Sequence, residues 1–455
     1  MEYTDLIKKY PEFVYHDFDI VEDEQEIHIH YAFEIIGLSN FNPEYVYPKS
    51  LNHEAVSLSK SFRETVFSLG MVELISYWKL TCSPHVRIEC GSLNEDQIRW
   101  WKKLYFNGLG EFFYRNHIKT DMETFMNLHS AGQPIAGTEL MSSFSGNLIP
   151  VGGGKDSLVS LDLLKNSRPI NHAFIINHVM SAIHSAEAAG YDSDSLTVVS
   201  RSLDPRMLEF NKQGYLNGHT PFSALAAFAS LLCAIAEHRE YICLSNEDSA
   251  NESTVAGSSV NHQYSKTFEF EKDFNEYCQK YITDKVHYFS LLRPLSELQI
   301  AGIFSALPQY FHVFRSCNVG QKQEKWCGHC AKCLFVCIML SAFLDDATVD
   351  SIFGRSMPND EEMMGLFEQL TGIEDNKPFE CVGTRKEVNI AVCMSIAAHR
   401  KNGTELPLMY QRYAETAYYD TYRDMAVSFK DYNTENLLPA AFEKTVKERL
   451  AEMDR

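Results

Sequence analysis

The chain has 455 residues, 45% of them hydrophobic, and a formal net charge of −20. That apolar content fills two or three packed domains, while the acidic balance argues against a broad nucleic-acid surface, which needs clustered Lys and Arg. No stretch approaches the ~20 uncharged apolar residues of a membrane helix, and Met1 to Asp5 lacks the basic and apolar parts of a secretion signal, so no membrane partner is expected and the expected location is the cytoplasm. In that setting the 12 cysteines point to metal binding or catalysis rather than to disulfides.

Residues 1–143 read as a separate α+β module. Residues 26–33 alternate like a strand. Residues 61–77 read as a helix with Phe62, Val66, Leu69, Val72 and Leu74 on one side. Asn94, Glu95, Asp96 and Gln97 form a capped helix start that continues through Trp100, Trp101, Leu104 and Tyr105. His28, His30 and His117 read as strand and surface histidines rather than metal ligands, because no carboxylate or cysteine spacing accompanies them.

The central module, 144–344, opens on Leu148-Ile149-Pro150-Val151-Gly152-Gly153-Gly154-Lys155-Asp156-Ser157-Leu158. This is an apolar strand, a glycine turn and a helix start. The glycines let the backbone turn sharply and approach a ligand closely. The helix start offers free N–H groups and a positive dipole end, which suit a phosphate. The spacing is not that of G-x-x-x-x-G-K-[ST], since only one residue separates Gly154 from Asp156. Taken alone, the motif is also compatible with an ordinary strand-to-helix turn. Apolar runs at 173–177, 196–200 and 241–245, with helical segments at 158–164, 180–189 and 221–237, argue instead for βαβ units and a parallel sheet. Ligands of such sheets sit beyond the carboxyl ends of the strands, which places Asn177 and Ser200 beside the glycine turn. The fourth strand empties into a long polar loop, 246–253, that continues through 261–266, as functional loops do.

Cys317-x9-Cys327-x2-Cys330-x2-Cys333 has the spacing of a closed four-thiolate site. A structural zinc ion is the expected occupant, with an iron–sulfur cluster as the alternative for the same ligand type. The last segment, 345–455, reads as helical, with turns at Gly354, Pro358 and Gly372.

The glycine turn resembles the S-G-G-x-D-S pyrophosphate loop of the ATP pyrophosphatase superfamily, with Gly152 standing where that family usually has serine. The cysteine cluster that follows is similar to that of the superfamily's deazaguanine synthase branch. Residues 260–266, 325–335 and 377–384, together with the length, resemble the MurL family, epimerases of the UDP-N-acetylmuramoyl-L-alanyl-L-glutamate of bacterial peptidoglycan synthesis. The resemblance implies an α/β, Rossmann-like PP-loop domain of the adenine nucleotide alpha hydrolase type. It implies a small-molecule partner, the UDP-MurNAc-dipeptide, with ATP and Mg2+ as the cofactors. ATP would be cleaved to AMP and diphosphate. Asp156 would help hold magnesium and diphosphate, and Ser157 with the N–H groups of Gly153 and Gly154 would bind phosphate oxygens. Lys155 and Lys266 are expected to add positive charge and Asn177 to line the nucleotide site.

Epimerisation needs a base and an acid on opposite faces of Cα. Cys381 is the leading candidate, with Arg385 and Lys386 placed to lower its pKa, followed by Glu380, His262 and His219. Arg63, Arg201, Arg315 and Arg385 are candidates for the substrate's anionic groups. Two rival readings share the glycine motif: another AMP-forming ligase, amidotransferase or deazaguanine-type synthase acting on a small carboxylic acid, and a nucleotide-binding scaffold with a degenerate loop.

Overall fold

The computed structural model describes residues 1–49, 56–248, 264–317, 319–320, 323–375, 377–378, 380 and 382–454. In chain order its strands are β1 (Glu12–Glu22), β2 (Glu26–Ile35), β3 (Ser39–Phe41), β4 (Glu44–Pro48), β5 (His85–Ile88), β6 (Asn127–Ser130), β7 (Asn147–Pro150), β8 (Asn171–Ile176), β9 (Leu196–Ser202), β10 (Tyr241–Leu244) and β11 (His287–Ser290). They form one mixed sheet in the order β11-β10-β7-β8-β9-β4-β2-β1-β5-β6, with β3 on the side of β2.

The five strands β7 to β11 are parallel throughout. Numbered by their own succession they lie 3-2-1-4-5, so the order reverses between β7 and β10, and the crevice at such a reversal is where parallel sheets bind ligands. These strands are mostly short and carry buried apolar side chains on both faces of the sheet, with polar residues such as Asn147, Asn171, Thr197 and Ser290 among them. The alternation of side chains divides them between two cores. Leu148, Phe174 and Ile242 pack with the buried helix Phe222–Ala236, whereas Ile149, Ala173, Ile175 and Cys243 pack with Leu158, Val159 and Leu161 of the helix Lys155–Leu163.

The N-terminal strands join this sheet edge to edge. Strand β4 runs antiparallel to β9, pairing Val46 with Ser200 and Glu44 with Ser202, so strands from 1–143 and from 144–344 belong to one continuous sheet. Strand β1 was not legible as a strand because its ladder with β2 shifts register between Tyr15 and Asp17, a bulge that breaks the alternation of inward and outward residues. The strongly amphipathic helix Phe268–Tyr281, capped by Thr267, follows the polar loop and also escaped the sequence reading.

The helix expected at 61–77 spans Lys60–Trp78, but it is buried on nearly every side rather than one. It lies between the β1–β2 ribbon and the helix Phe222–Ala236. Gly70 permits the approach: a Cβ there would stand 2.1 Å from the hydroxyl of Tyr15. The hydroxyl of Tyr31 donates to the Val66 carbonyl at 3.0 Å. Inside this layer Glu73 is fully buried, accepts the Tyr45 hydroxyl at 2.6 Å, and receives Arg201 Nε and Nη2, each at 2.8 Å. Arg201 sits at the end of β9, so this ion pair binds the N-terminal helix to the central strands.

The C-terminal region is helical as expected. Ala331–Ser341, Arg385–Asn402 and their neighbours share the second core with the helices Lys155–Leu163 and Glu297–Ser305. Gly354 and Gly372 end helices with φ of +76° and +84°, the left-handed cap that glycine adopts without strain. No helix among the described residues is long and apolar enough to cross a membrane.

Removing Arg201 strands the buried Glu73 carboxylate. Arg201→Ala is expected to lose about 3–5 kcal/mol of folding free energy, read as a lower urea midpoint; a loss below about 1 kcal/mol would show that the pair does not bind the two parts of the sheet together.

Candidate active site

Strand β7 ends at Pro150, and Val151 keeps its N–H on the Phe174 carbonyl of β8 at 2.8 Å. The chain then turns at the three glycines, whose physical demands differ. Gly153 has φ +81°, and a Cβ on it would lie 2.8 Å from the backbone nitrogen of Ala182, so glycine is required. A Cβ on Gly154 would lie 2.7 Å from Ser316 Oγ. Gly152 has nothing within 4 Å of its Cβ position. Gly154, extended at φ −92° and ψ 174°, is the N-cap of the helix Lys155–Leu163 and offers no capping side chain. A helix leaves its first N–H groups without intrahelical partners, and here they stand at the positive end of the dipole. Ser157 Oγ donates to the Gly154 carbonyl at 3.0 Å, and Asp156 remains partly open to solvent.

Lys155 turns away from the open side of the turn. It is 2% exposed, and its Nζ contacts the carboxylate of Asp156 and that of Glu297, the latter at 2.5 Å. Burial works against the ammonium, but Asp156 and Glu297 outweigh it and hold the lysine protonated, above its usual range. The same burial, with the charges of Asp156 and Glu247, pushes Glu297 above the usual carboxylate range, against the pull of Lys155. Behind this pair, Glu387 accepts the Glu297 N–H at 2.7 Å and the Thr384 hydroxyl at 2.7 Å, closing a capping box on the helix Arg385–Asn402. Glu297 is the first residue of the helix Glu297–Ser305 that follows β11, so one buried lysine joins the glycine turn to that helix start and, through Glu387, to the C-terminal helix.

Arg293 organises the neighbouring loops. It is fully buried, pairs with Glu271 at 3.0 Å, and donates to the carbonyls of Glu247 at 2.7 Å and Lys266 at 2.6 Å. The ends of β10 and β11 and the start of the helix Phe268–Tyr281 are thereby held together. At the end of β8, Asn177 adopts φ +64°, bonds its N–H to the Val199 carbonyl at 2.6 Å and accepts the Arg201 N–H at 2.7 Å. A cavity of about 560 Å³ opens beside these loops, lined among others by Asp248, Ser296, Gln299, Thr384, Lys386 and Tyr432.

The cysteine quartet is joined directly to the glycine turn. Arg315 donates its N–H to the Gly153 carbonyl at 2.7 Å, Ser316 covers Gly154, and the next residue is Cys317. The sulfurs of Cys317, Cys327, Cys330 and Cys333 all lie within 4.8 Å of one another, with Cys327–Cys333 at 3.6 Å and Cys330–Cys333 at 3.4 Å. A tetrahedron with metal–sulfur bonds of about 2.3 Å needs sulfurs about 3.8 Å apart, so the set can hold a metal ion with little movement. N–H groups of Gly320, Cys327 and His329 point at the sulfurs of Cys317 and Cys327, at 3.1 to 3.4 Å.

The remaining sequence candidates fall elsewhere. Glu380 accepts the Lys332 N–H at 3.1 Å, which places its carboxylate at the start of the helix Ala331–Ser341, beside the cysteines. Lys266 stands in the short turn Tyr264–Lys266, with its carbonyl on Arg293. Cys381 and His262 lie outside the described residues. His219 faces Glu111 at 3.8 Å. Of the arginines, Arg201 is bound to Glu73, Arg315 donates to the Glu324 and Phe314 carbonyls, Arg385 to those of Glu374 and Asp375, and Arg63 lies over the ring of Phe18. Glu297, Glu387 and Arg293 were missed. The available signal was a single Arg and a single Glu embedded in the apolar run Leu291-Leu292-Arg293-Pro294-Leu295-Ser296-Glu297-Leu298, where a charge must be buried with a partner.

Polar loops gathered at the carboxyl edge of a parallel sheet, around a glycine turn at the strand-order reversal, define an α/β protein with a candidate ligand site at that edge. The model of the MurL N-terminal domain matches residues 5–291, and that of the MurL C-terminal domain matches residues 313–424. The chain belongs to the MurL family. A UDP-N-acetyl-alpha-D-muramoyl-L-alanyl-L-glutamate epimerase from Xanthomonas oryzae pv. oryzae is 33% identical over 74% of this chain and 75% of its own length. Proteins of the same name from a Micromonospora strain and from Salinispora tropica are 32% and 30% identical, over 75% and 72% of this chain and 76% and 72% of their own. No solved structure matches the chain.

The glycine turn makes a specific prediction. Gly153→Ala forces a side chain into a left-handed, filled position and should cost about 1–3 kcal/mol, whereas Gly152→Ser should leave the thermal midpoint unchanged. Equal effects of the two substitutions in thermal denaturation would contradict the described geometry.

Proposed function

We propose that this protein inverts the terminal L-glutamate of UDP-N-acetylmuramoyl-L-alanyl-L-glutamate to D-glutamate in peptidoglycan synthesis, with ATP cleaved to AMP and diphosphate. The observation that carries the reading is the position of Gly152 to Ser157 at the carboxyl end of β7, where the strand order reverses. Membership of the MurL family, whose named relatives are epimerases of this substrate, supplies the reaction. On this reading the central strands are a Rossmann-like PP-loop domain.

The chemistry explains why ATP is consumed. The Cα proton of a glutamate carboxylate is scarcely acidic, because the carbanion would add charge to an anion. Attack of the carboxylate oxygen on the α-phosphorus releases diphosphate and leaves an uncharged acyl group, which delocalises the carbanion as an enolate. A base then removes the Cα proton from one face, an acid returns a proton to the other, and water cleaves the acyl adenylate to AMP and the D-glutamyl product.

The residues suit these tasks. N–H groups of the glycine turn and the helix start would hold the diphosphate portion. Asp156, with Glu297 and Glu247 nearby, is the carboxylate group for a divalent cation carried with ATP, since Lys155 balances only part of their charge. Magnesium bound there would neutralise phosphate charge. Lys155 acts from within, fixing Asp156 and Glu297 rather than meeting phosphate. The cavity beside Thr384 and Lys386 is the space for the sugar-peptide. The four cysteines would hold a structural zinc ion that braces the turn through Arg315 and Ser316. Cys381 is proposed as one of the two proton-transfer groups, on the sequence argument alone.

Incubation with ATP, magnesium and the L-alanyl-L-glutamate nucleotide should yield D-glutamate on chiral analysis, with AMP and diphosphate. Formation of AMP only when ammonia is supplied, without D-glutamate, would favour an amide-forming synthase. Asp156→Ala should lower diphosphate release by roughly 10²-fold or more with the fold retained; near-normal release would remove Asp156 from the mechanism. Cys381→Ser should retain adenylation but slow exchange of the Cα proton with deuterated solvent by roughly 10²–10⁴-fold, and unchanged exchange would eliminate Cys381 as base or acid.

A further inference from the structure

In the N-terminal part of the sheet, two strands assemble a set of ligand atoms that the epimerase reading does not use. In β2, Ile27, Ile29 and Tyr31 are buried in the core, so His28 and His30 emerge together on the opposite face. Strand β4 runs antiparallel beside it, with Glu44 directly opposite His30 and Val46 opposite His28. Glu44 Oε1 lies 2.9 Å from His28 Nδ1 and 3.3 Å from His30 Nε2, and one ligand atom from each of the three residues falls within 4.8 Å of the others. Their side chains are 28%, 47% and 32% exposed, open enough for an ion to enter.

We propose that His28, His30 and Glu44 bind a divalent transition-metal ion of the zinc type on this open face of the sheet, independently of the cysteine quartet. Zinc–nitrogen and zinc–oxygen bonds of about 2.0–2.2 Å in a tetrahedron place ligand atoms about 3.4 Å apart. The two spacings to Glu44 are near that size and all three ligand atoms lie within 4.8 Å of one another, so an ion enters with side-chain shifts alone. Two imidazoles and one carboxylate select zinc, cobalt or nickel over magnesium or calcium, which prefer oxygen alone.

A second feature points to the same ligand. The far nitrogen of His28, Nε2, faces Glu26 at 3.5 Å and Asp23 at 3.8 Å. Carboxylates behind a metal-binding histidine orient the ring and fix which nitrogen carries the proton. Asp23 is itself anchored, accepting the N–H groups of Gln25 at 2.7 Å and Glu26 at 2.8 Å in the β1–β2 turn. Three protein ligands leave a fourth position for water. The ion would staple β2 to β4, the strand that joins the N-terminal part of the sheet to β9.

The test uses tag-free, full-length protein and the metal alone. Cobalt titration distinguishes the two sites, because only the cysteine site gives thiolate-to-metal charge-transfer absorption. Wild-type protein should take up a second equivalent of cobalt that adds visible bands without further charge transfer. His28→Asn/His30→Asn should lose that equivalent, or bind it at least tenfold more weakly, while keeping the thiolate bands. Added zinc should raise the thermal midpoint of wild-type protein beyond that of the double variant. Cobalt uptake in wild-type protein confined to the thiolate bands, or binding without charge transfer that survives in the double variant, would overturn the proposal and leave these residues as histidine–carboxylate ion pairs.

Discussion

A lysine sealed from water between two carboxylates is the constraint on which the candidate site depends. Lys155 is the first residue of the helix that follows the glycine turn, and its ammonium cannot be buried without partners. Asp156 supplies one from the next residue and Glu297 the other from a helix start 142 residues later. Breaking such a pair leaves an uncompensated charge in the interior, so the geometry of the turn, the helix start after β11 and the helix Arg385–Asn402 is set jointly. The residue that sequence reasoning would aim at phosphate instead works as an internal strut, and Asp156 is left at the surface of the same pair.

Around this strut the molecule repeats one device: a charged group placed where segments distant in sequence meet. Arg293 does so for the loops after β10 and β11, taking carbonyls from both Glu247 and Lys266. Glu73 and Arg201 do so between the N-terminal helix and β9. A main-chain bond, from the Arg315 N–H to the Gly153 carbonyl, ties the cysteine segment to the glycine turn in the same way without a charge. A site built from loops gains its precision from such buried supports, because loop backbones have no ladder of their own.

The legible part of the sequence consists of patterns that close within a few residues. Leu148 to Leu158 specifies strand, turn and helix because glycine conformations and helix starts are local. Four of the five central strands reveal themselves as apolar runs because they are covered on both faces, whereas β11, half of it polar, gives no such run. Cys327, Cys330 and Cys333 reveal a ligand set because metal geometry imposes short spacings. By contrast β1 is masked by a bulge, and the helix Lys60–Trp78, although legible as a helix, is buried nearly all round rather than along the one side its apolar spacing suggests.

The sequence by itself therefore determined the alternation of strands and helices in the centre, the glycine turn, the cysteine quartet and the family. The tertiary structure alone decided that β4 pairs with β9 to make one sheet, that Lys155 faces Glu297, that Glu380 stands beside the cysteines and that Glu44 meets His28 and His30. The reason is physical. Periodicity encodes which face of an element is apolar, but the partner of a buried charge or a surface histidine depends on which distant segment packing brings within about 3 Å, and no local pattern carries that choice.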